Sequence, residues 1–223
     1  MITRISSSDP LQGAPSIGAL IVLEGMPGAG KTTLAEALAT AGERVLGEYT
    51  GSDLATVAPH DHPAVDDDAA HQENWLRKTI QSRHISGDGS GPVYVDRDWL
   101  SSLSYAYSIG DTDQQKLLTE RATWALEQLR VGALCLPDLY LVFDLDIATS
   151  LRRRSGMLDR GHPWSGARAL RRLRAFYRHP ARALSPACPG LATALRTPRW
   201  VFVSGNDDRH HVVERARALG GHR

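Results

Sequence analysis

Short apolar runs alternate along the chain with longer stretches of helical periodicity. Ile17 to Leu23 is a continuous apolar run, as expected of a strand buried on both faces. Lys31 to Ala41 places Leu34, Leu38 and its alanines on one face of a helix. Arg44 to Glu48 reads as a short second strand. Residues 50–68 are loop-like, and Asp66 or Asp67 is placed to cap a helix over about Ala69 to Ile85. A glycine-rich turn, Gly87 to Pro92, precedes a third strand, Val93-Tyr94-Val95, which Asp96 ends. Helices are predicted over Trp99 to Ile109 and Gln114 to Val131, then a strand over Leu139 to Leu145 and a helix opening at Ile147. Trp200 to Val203 forms a fifth strand and Asp207 to Leu219 a closing helix.

Strands separated by helices, with no hairpin signals, predict an α/β fold: about five parallel strands with helices on both faces, in three layers. Ligands of such sheets bind beyond the carboxyl ends of the strands. The 223 residues suit a single domain over 17–223, after a flexible, Ser/Pro/Gly-containing segment at 1–16. No internal repeat is present.

Composition narrows the function classes. The 26 Lys+Arg nearly cancel the 25 Asp+Glu, which excludes a uniformly basic nucleic-acid coat. The formal charge of +1 averages an acidic stretch, Asp53 to Glu73, with an arginine-dense one, Arg152 to Arg178. Two cysteines, Cys135 and Cys188, make neither a disulfide framework nor a zinc site, and Cys135 reads as a buried thiol. No run approaches the ~20 apolar residues of a membrane helix, and Met1 to Ser16 lacks the apolar core of a signal peptide. A soluble, cytoplasmic protein is expected.

The strongest chemical signal is Gly25-Met26-Pro27-Gly28-Ala29-Gly30-Lys31-Thr32, which fits G-x-x-x-x-G-K-[ST] between a buried strand and a helix N-terminus. Its glycines let backbone N–H groups turn in around a phosphate, and the helix N-terminus adds partial positive charge. Gly25, Pro27, Gly28, Ala29, Gly30, Lys31, Thr32 and Thr33 are therefore expected to cradle ATP, with Lys31 at the outer phosphates and Thr32 on Mg²⁺. The chain has no guanine-reading N-K-x-D, and its best apolar strand ends Phe143-Asp144-Leu145-Asp146 rather than Asp-Glu. A small-molecule kinase fits better than a GTPase switch or an AAA-type or transport ATPase.

Three segments extend this reading: Glu24 to Thr33, Asp96-Arg97 through Ser101, Ser102 and Tyr105, and Pro137 to Asp146 with the basic stretch after it. In these the chain resembles the thymidylate kinase family of P-loop kinases, and more loosely the deoxynucleoside kinases. The resemblance implies a three-layer P-loop NTPase fold with a small Arg-rich lid at about 152–165. It also implies transfer of the ATP γ-phosphoryl group to a nucleotide or nucleoside-like acceptor, with Mg²⁺. Arg97 would hold the acceptor phosphate, and Asp96 would sit near Mg²⁺. Tyr105 would pack under the acceptor sugar, with Ser101 and Ser102 facing the base. Arg83 would bond the base edge, and Glu48 would take the proton from a sugar hydroxyl. Arg153, Arg154 and Arg160 would close over the phosphates, and a homodimer would be the assembly.

Pro27 stands where thymidylate kinases carry an acid, which argues for an acceptor other than thymidylate. Three alternatives stay open on the sequence: a kinase of a nucleic-acid terminus or modified base, a kinase of an antibiotic-like metabolite, and a non-catalytic NTP-binding switch. Among residues of no assigned role, Arg168 to Arg178 read as a solvated helix face, Trp75 and Trp99 as core, and His60, His62 and His71 as loop residues without metal-ligand spacing.

Overall fold

A computed structural model describes residues 18–87, 91–110, 112–155 and 162–221. The segment 1–16, Arg160 and the middle of the expected lid lie outside the described residues. The elements in chain order are β1 Leu20–Gly25, α1 Lys31–Thr40, β2 Arg44–Leu46, α2 Asp68–Ser86, β3 Val93–Asp96, α3 Leu100–Ile109 and α4 Thr112–Arg130. They continue with β4 Leu139–Asp144, α5 Ile147–Arg154, α6 Ala167–Arg178, α7 Pro180–Leu184, α8 Pro189–Ala194, β5 Arg199–Ser204 and α9 Arg209–Gly221.

The five strands form one parallel sheet in the order β2-β3-β1-β4-β5. The apolar runs are continuous because both faces of the central strands are covered: Ile21, Leu23, Tyr94, Tyr140 and Leu141 are fully buried. Asp67 caps α2, accepting from the Ala70 amide at 3.1 Å, and Asp146 caps α5, accepting from Thr149 at 2.8 Å.

The register decides what meets at the carboxyl edge. Leu23 of β1 lies opposite Asp96 of β3, and Gly25 opposite Phe143 of β4. Leu46 of β2 lies opposite Val95. Glu48, Arg97 and the glycine loop therefore leave three neighbouring strands side by side.

Several expectations need correcting. β2 ends at Leu46, so Glu48 lies beyond it, just before the loop closed by the Thr50–Thr56 bridge. The first strand starts at Leu20, after Gly18 and Ala19, and Ile17 lies outside the described residues. Cys135 is half-buried rather than buried. Residues 180–194 form two short helices that no periodicity announced. The arginines of α6 are not simply solvated: Arg174 binds Asp144 through two bonds of 2.5 and 2.8 Å, Arg178 adds a third at 2.9 Å, and Arg172 donates to the Tyr107 carbonyl at 2.9 Å.

On its other face α6 buries Leu170, Leu173, Phe176 and Tyr177. This helix carries Tyr177 to the site, so its anchorage matters for function. Phe176, with no exposed surface, anchors it. Phe176→Ala is expected to cost about 3–5 kcal/mol of stability, read as a lowered urea midpoint. A loss under about 1 kcal/mol would show that the ring does not anchor α6.

Candidate active site

The glycine loop takes the shape its residues allow. Gly25, Gly28 and Gly30 all have positive φ, at 122°, 71° and 95°. A Cβ on Gly25 would fall 2.3 Å from the Phe143 carbonyl oxygen. Lys31 is 4% exposed and folds back into the loop, donating to the Gly25 and Met26 carbonyls at 3.1 and 2.8 Å. Burial, and next the charge of Arg97, lower its pKa to about 7. The Pro27 carbonyl accepts from Ser150 at 2.8 Å, which ties the loop to α5.

Thr32, at the start of α1, donates its hydroxyl to Asp96 Oδ2 at 3.0 Å. Asp96 is 1% exposed, and its other oxygen, Oδ1, is buried with no partner. A hydroxyl and a carboxylate with a free oxygen at the phosphate loop fit Mg²⁺, which takes few protein ligands beside phosphate and water. No group of three or more His, Cys, Asp or Glu is placed to hold a metal by itself among the described residues.

Arg97 follows Asp96 with φ of +64°, a left-handed conformation that costs a non-glycine residue about 1–2 kcal/mol. The turn sends its guanidinium between two carboxylates. Nε lies 2.8 Å from Glu48 Oε1, though the N–H is not aligned for a hydrogen bond. An outer nitrogen lies 3.9 Å from Glu24 Oε2 and donates to Ser101 Oγ at 3.4 Å. Glu24 is fully buried within β1, accepting from Ser101 and Tyr177 hydroxyls at 2.7 Å each. Burial alone would raise the Glu48 pKa, but the charges of Arg97 and Lys31 hold it below the usual carboxylate range. Glu48 is therefore ionised at neutral pH.

α2 supplies the floor of this arrangement. Asn74 bonds the Glu48 carbonyl and the Thr50 amide, and Gln81 bonds Thr50 and Gly51. Lys78 is 3% exposed and donates to the carbonyls of Asp96, Arg97 and Glu48 at 2.7, 2.8 and 3.2 Å. Burial lowers its pKa to about 8, against the opposing pull of Asp96 and Glu48.

Beside the Glu48–Arg97 pair lies a cavity of about 180 Å³, walled by Tyr49, His62, His71, Trp75, Tyr105 and Trp164. Ser101, Ser102 and Arg121 also face it. Tyr105 meets Trp164 edge-on at 5.8 Å, and the Tyr49 hydroxyl lies 2.6 Å from His71 Nδ1. The Ser102 hydroxyl accepts from Trp75 Nε1 at 3.1 Å. His62 and His71, expected as loop residues, are wall residues, and His71 sits on α2. Trp75 is both core and wall, at 4% exposed. A larger groove of about 700 Å³, between α3, α4 and α6, contains none of these residues.

Arg153 clips the loop from outside, donating to Gly28 and Gly205 carbonyls at 3.0 and 2.8 Å and to Asn206 at 3.0 Å. Arg154 lies over the Trp164 ring at 6.0 Å, with its Nε buried and unpartnered. Burial, then repulsion from Arg97, lowers its pKa. Arg83 is a correction: it donates to the Gly132 and Leu134 carbonyls at 2.7 and 3.3 Å, holding the turn after α4, and does not wall the cavity. Glu24, Lys78, Arg121, Trp164 and the two histidines were missed as site residues. A signal existed for Glu24, a charge inside a buried strand, and for Lys78, one of only three lysines.

Residues 20–153, more than half of the chain, match a family described as an AAA domain. No curated protein matches the chain in sequence. Among solved structures, a thymidylate kinase from Candida albicans is similar over 91% of this chain and 90% of its own, with a TM-score of 0.53 and 18% identity. A deoxyadenosine kinase from M. mycoides, described with the products dCMP and a flexible dCDP bound, is similar over 90% of this chain and 97% of its own, with a TM-score of 0.49 and 14% identity. The likeness to the thymidylate kinase shows the expected P-loop kinase fold. Among the described residues no helix is long and apolar enough to cross a membrane.

The lowered pKa of Lys31 has a measurable consequence. A bound phosphate favours the charged amine, so nucleotide binding at pH 8.5 should take up close to one proton, falling towards none below about pH 6. Calorimetry in buffers of different ionisation enthalpy measures this. Binding without proton uptake at pH 8.5 would show that Lys31 is charged in the free protein.

Proposed function

The chain belongs to the AAA domain family, and from that membership we propose that it is an ATP-dependent phosphotransferase whose acceptor is a small, hydroxyl-bearing, nucleoside-like molecule. One observation carries the reading: among the described residues, the buried side-chain atoms left without a hydrogen-bond partner are Asp96 Oδ1, Arg97 Nε and Arg154 Nε. All three groups belong to the same site. Buried polar atoms are ordinarily satisfied, so an open carboxylate oxygen beside two open guanidinium nitrogens supports a ligand that brings a cation together with an anion.

The glycine loop and Lys31 would bind the outer phosphates of ATP, and Thr32 and Asp96 would hold Mg²⁺. Magnesium, when bound, supplies charge neutralisation at the phosphate oxygens. Phosphoryl transfer leaves the protein little covalent work beyond positioning and electrostatics. Glu48, ionised and half-buried, would accept the proton of an acceptor hydroxyl and orient it towards the γ-phosphate. Arg97 would keep Glu48 ionised and turned to the loop, while Arg154 meets the developing charge on the phosphoryl oxygens. Arg153 would hold the loop closed against the turn after β5.

Charge favours a hydroxyl over a phosphate monoester at the acceptor end. Glu48 and Glu24 already engage the guanidinium of Arg97, so an acceptor phosphate would have to displace these carboxylates to reach it. The aromatic wall suits a planar ring. A cavity of about 180 Å³ favours a small molecule over a polymer, and the engagement of Arg172, Arg174 and Arg178 within the protein weakens the nucleic-acid reading.

Glu48→Gln is expected to lower acceptor phosphorylation about 10²–10⁴-fold, with ATP affinity within a few-fold of wild type. Lys31→Ala should abolish transfer while keeping the fold. Labelled ATP offered with matched nucleosides and nucleoside monophosphates measures both. Phosphorylation of the monophosphates alone would overturn the hydroxyl assignment, and transfer to no acceptor would overturn the phosphotransferase.

A further inference from the structure

Lys78 lies on α2, outside every sequence pattern for this chemistry, yet its ammonium is 3% exposed and carries three donors to three acceptors. None is a carboxylate oxygen. They are the backbone carbonyls of Asp96, Arg97 and Glu48, each a residue whose side chain forms the site. A buried ammonium without a carboxylate partner is costly, and a methionine of similar length would fill the space without that cost. What the lysine adds is a single point on which the ends of β2 and β3 converge. The Arg97 carbonyl follows a backbone at φ +64°, so the ammonium also holds the left-handed turn that puts the guanidinium beside Glu48. The same nitrogen lies 5.3 Å over the Trp75 ring, a wall of the acceptor cavity.

Resting on the phosphotransferase reading above, we propose that Lys78 is a positioning residue for phosphoryl transfer: it gathers the carbonyls of Glu48, Asp96 and Arg97 onto one ammonium and so sets the carboxylate base, the magnesium carboxylate and the guanidinium at their working separations. It acts through the backbone and touches neither substrate.

Lys78→Met tests this in the full chain, alone and combined with Arg97→Ala. Small displacements at a transfer site cost about 100-fold in rate. The single variant should lose about that much in kcat, with acceptor KM raised and binding of a non-hydrolysable ATP analogue within about 3-fold of wild type. In the Arg97→Ala background the same change should cost only about 10-fold, because the guanidinium is gone while Glu48 and Asp96 still depend on the ammonium. Equal losses in both backgrounds, or an unchanged kcat, would overturn the proposal. A crystal structure of Lys78→Met should show Arg97 out of the left-handed region and parted from Glu48; an unmoved pair would also overturn it. Should Lys78→Met not fold, Lys78→Gln, which keeps two N–H donors, is expected at intermediate activity, and full activity or failure to fold would count against positioning. If the wild-type chain phosphorylates no acceptor, the phosphotransferase reading fails and the crystal structure alone judges Lys78.

Discussion

Leu23 lies opposite Asp96, and Leu46 opposite Val95. Those pairings in a parallel sheet bring the glycine loop, Asp96-Arg97 and Glu48 out at one edge. In a parallel sheet every strand leaves at the same end, so polar residues just past the apolar runs are delivered together. A slip of one residue in β3 would turn Asp96 from its place beside Thr32 and exchange the faces of Tyr94 and Val95, which the packing of both layers forbids. The core is thus what holds the chemistry in place. Tyr94 and Tyr140 are fully buried while their hydroxyls bond the Ala216 carbonyl and Asp98 at 3.1 and 2.9 Å, so the same rings that fill the core also fix its polar margin.

The site concentrates cost. Glu24, Lys31, Asp96, Arg97 and Lys78 are all buried charged residues, and Arg97 has a strained backbone. Burial drives the amines of Lys31 and Lys78 down, whereas Arg97 is held charged by Glu48 and Glu24. Such a cluster is tolerated only where the surrounding structure over-determines it. Here α2 does so from below through Asn74, Lys78 and Gln81, and α6 from the side through Tyr177 on Glu24. Asp98 shows the same pressure, its carboxyl pushed up by burial and then by the charge of Glu24.

The donor half was legible as one run of the sequence, and the acceptor half only in part: Glu48, Arg97, Ser101, Ser102 and Tyr105, named from the sequence, line one cavity, whereas Arg83 does not. Phosphate binding is done by backbone amides on one local turn, so Gly25 to Thr33 carries its meaning in consecutive positions. Glu48 and Arg97 were named separately from the sequence, and the structure sets them beside each other. Arg83 went astray because a helix offers several faces, and sequence spacing alone does not say which face meets the cavity; its guanidinium instead closes the turn at Gly132 and Leu134. His62 and His71 come from a loop and the helix after it, and Trp164 from a turn far along the chain, with no periodic signal to join them. The short helices after α6 carry too few residues for periodicity to register.

By itself the sequence determined the element types, the parallel α/β class and the phosphate loop, because strand burial, helix periodicity and backbone phosphate recognition are all local properties. Only the tertiary structure decided the strand order β2-β3-β1-β4-β5, the pairing of Arg97 with two carboxylates, the aromatic cavity and the burial of Lys78 against three backbone carbonyls. Each of these depends on which distant segments the packed sheet brings within a few ångströms, and no local pattern encodes that distance.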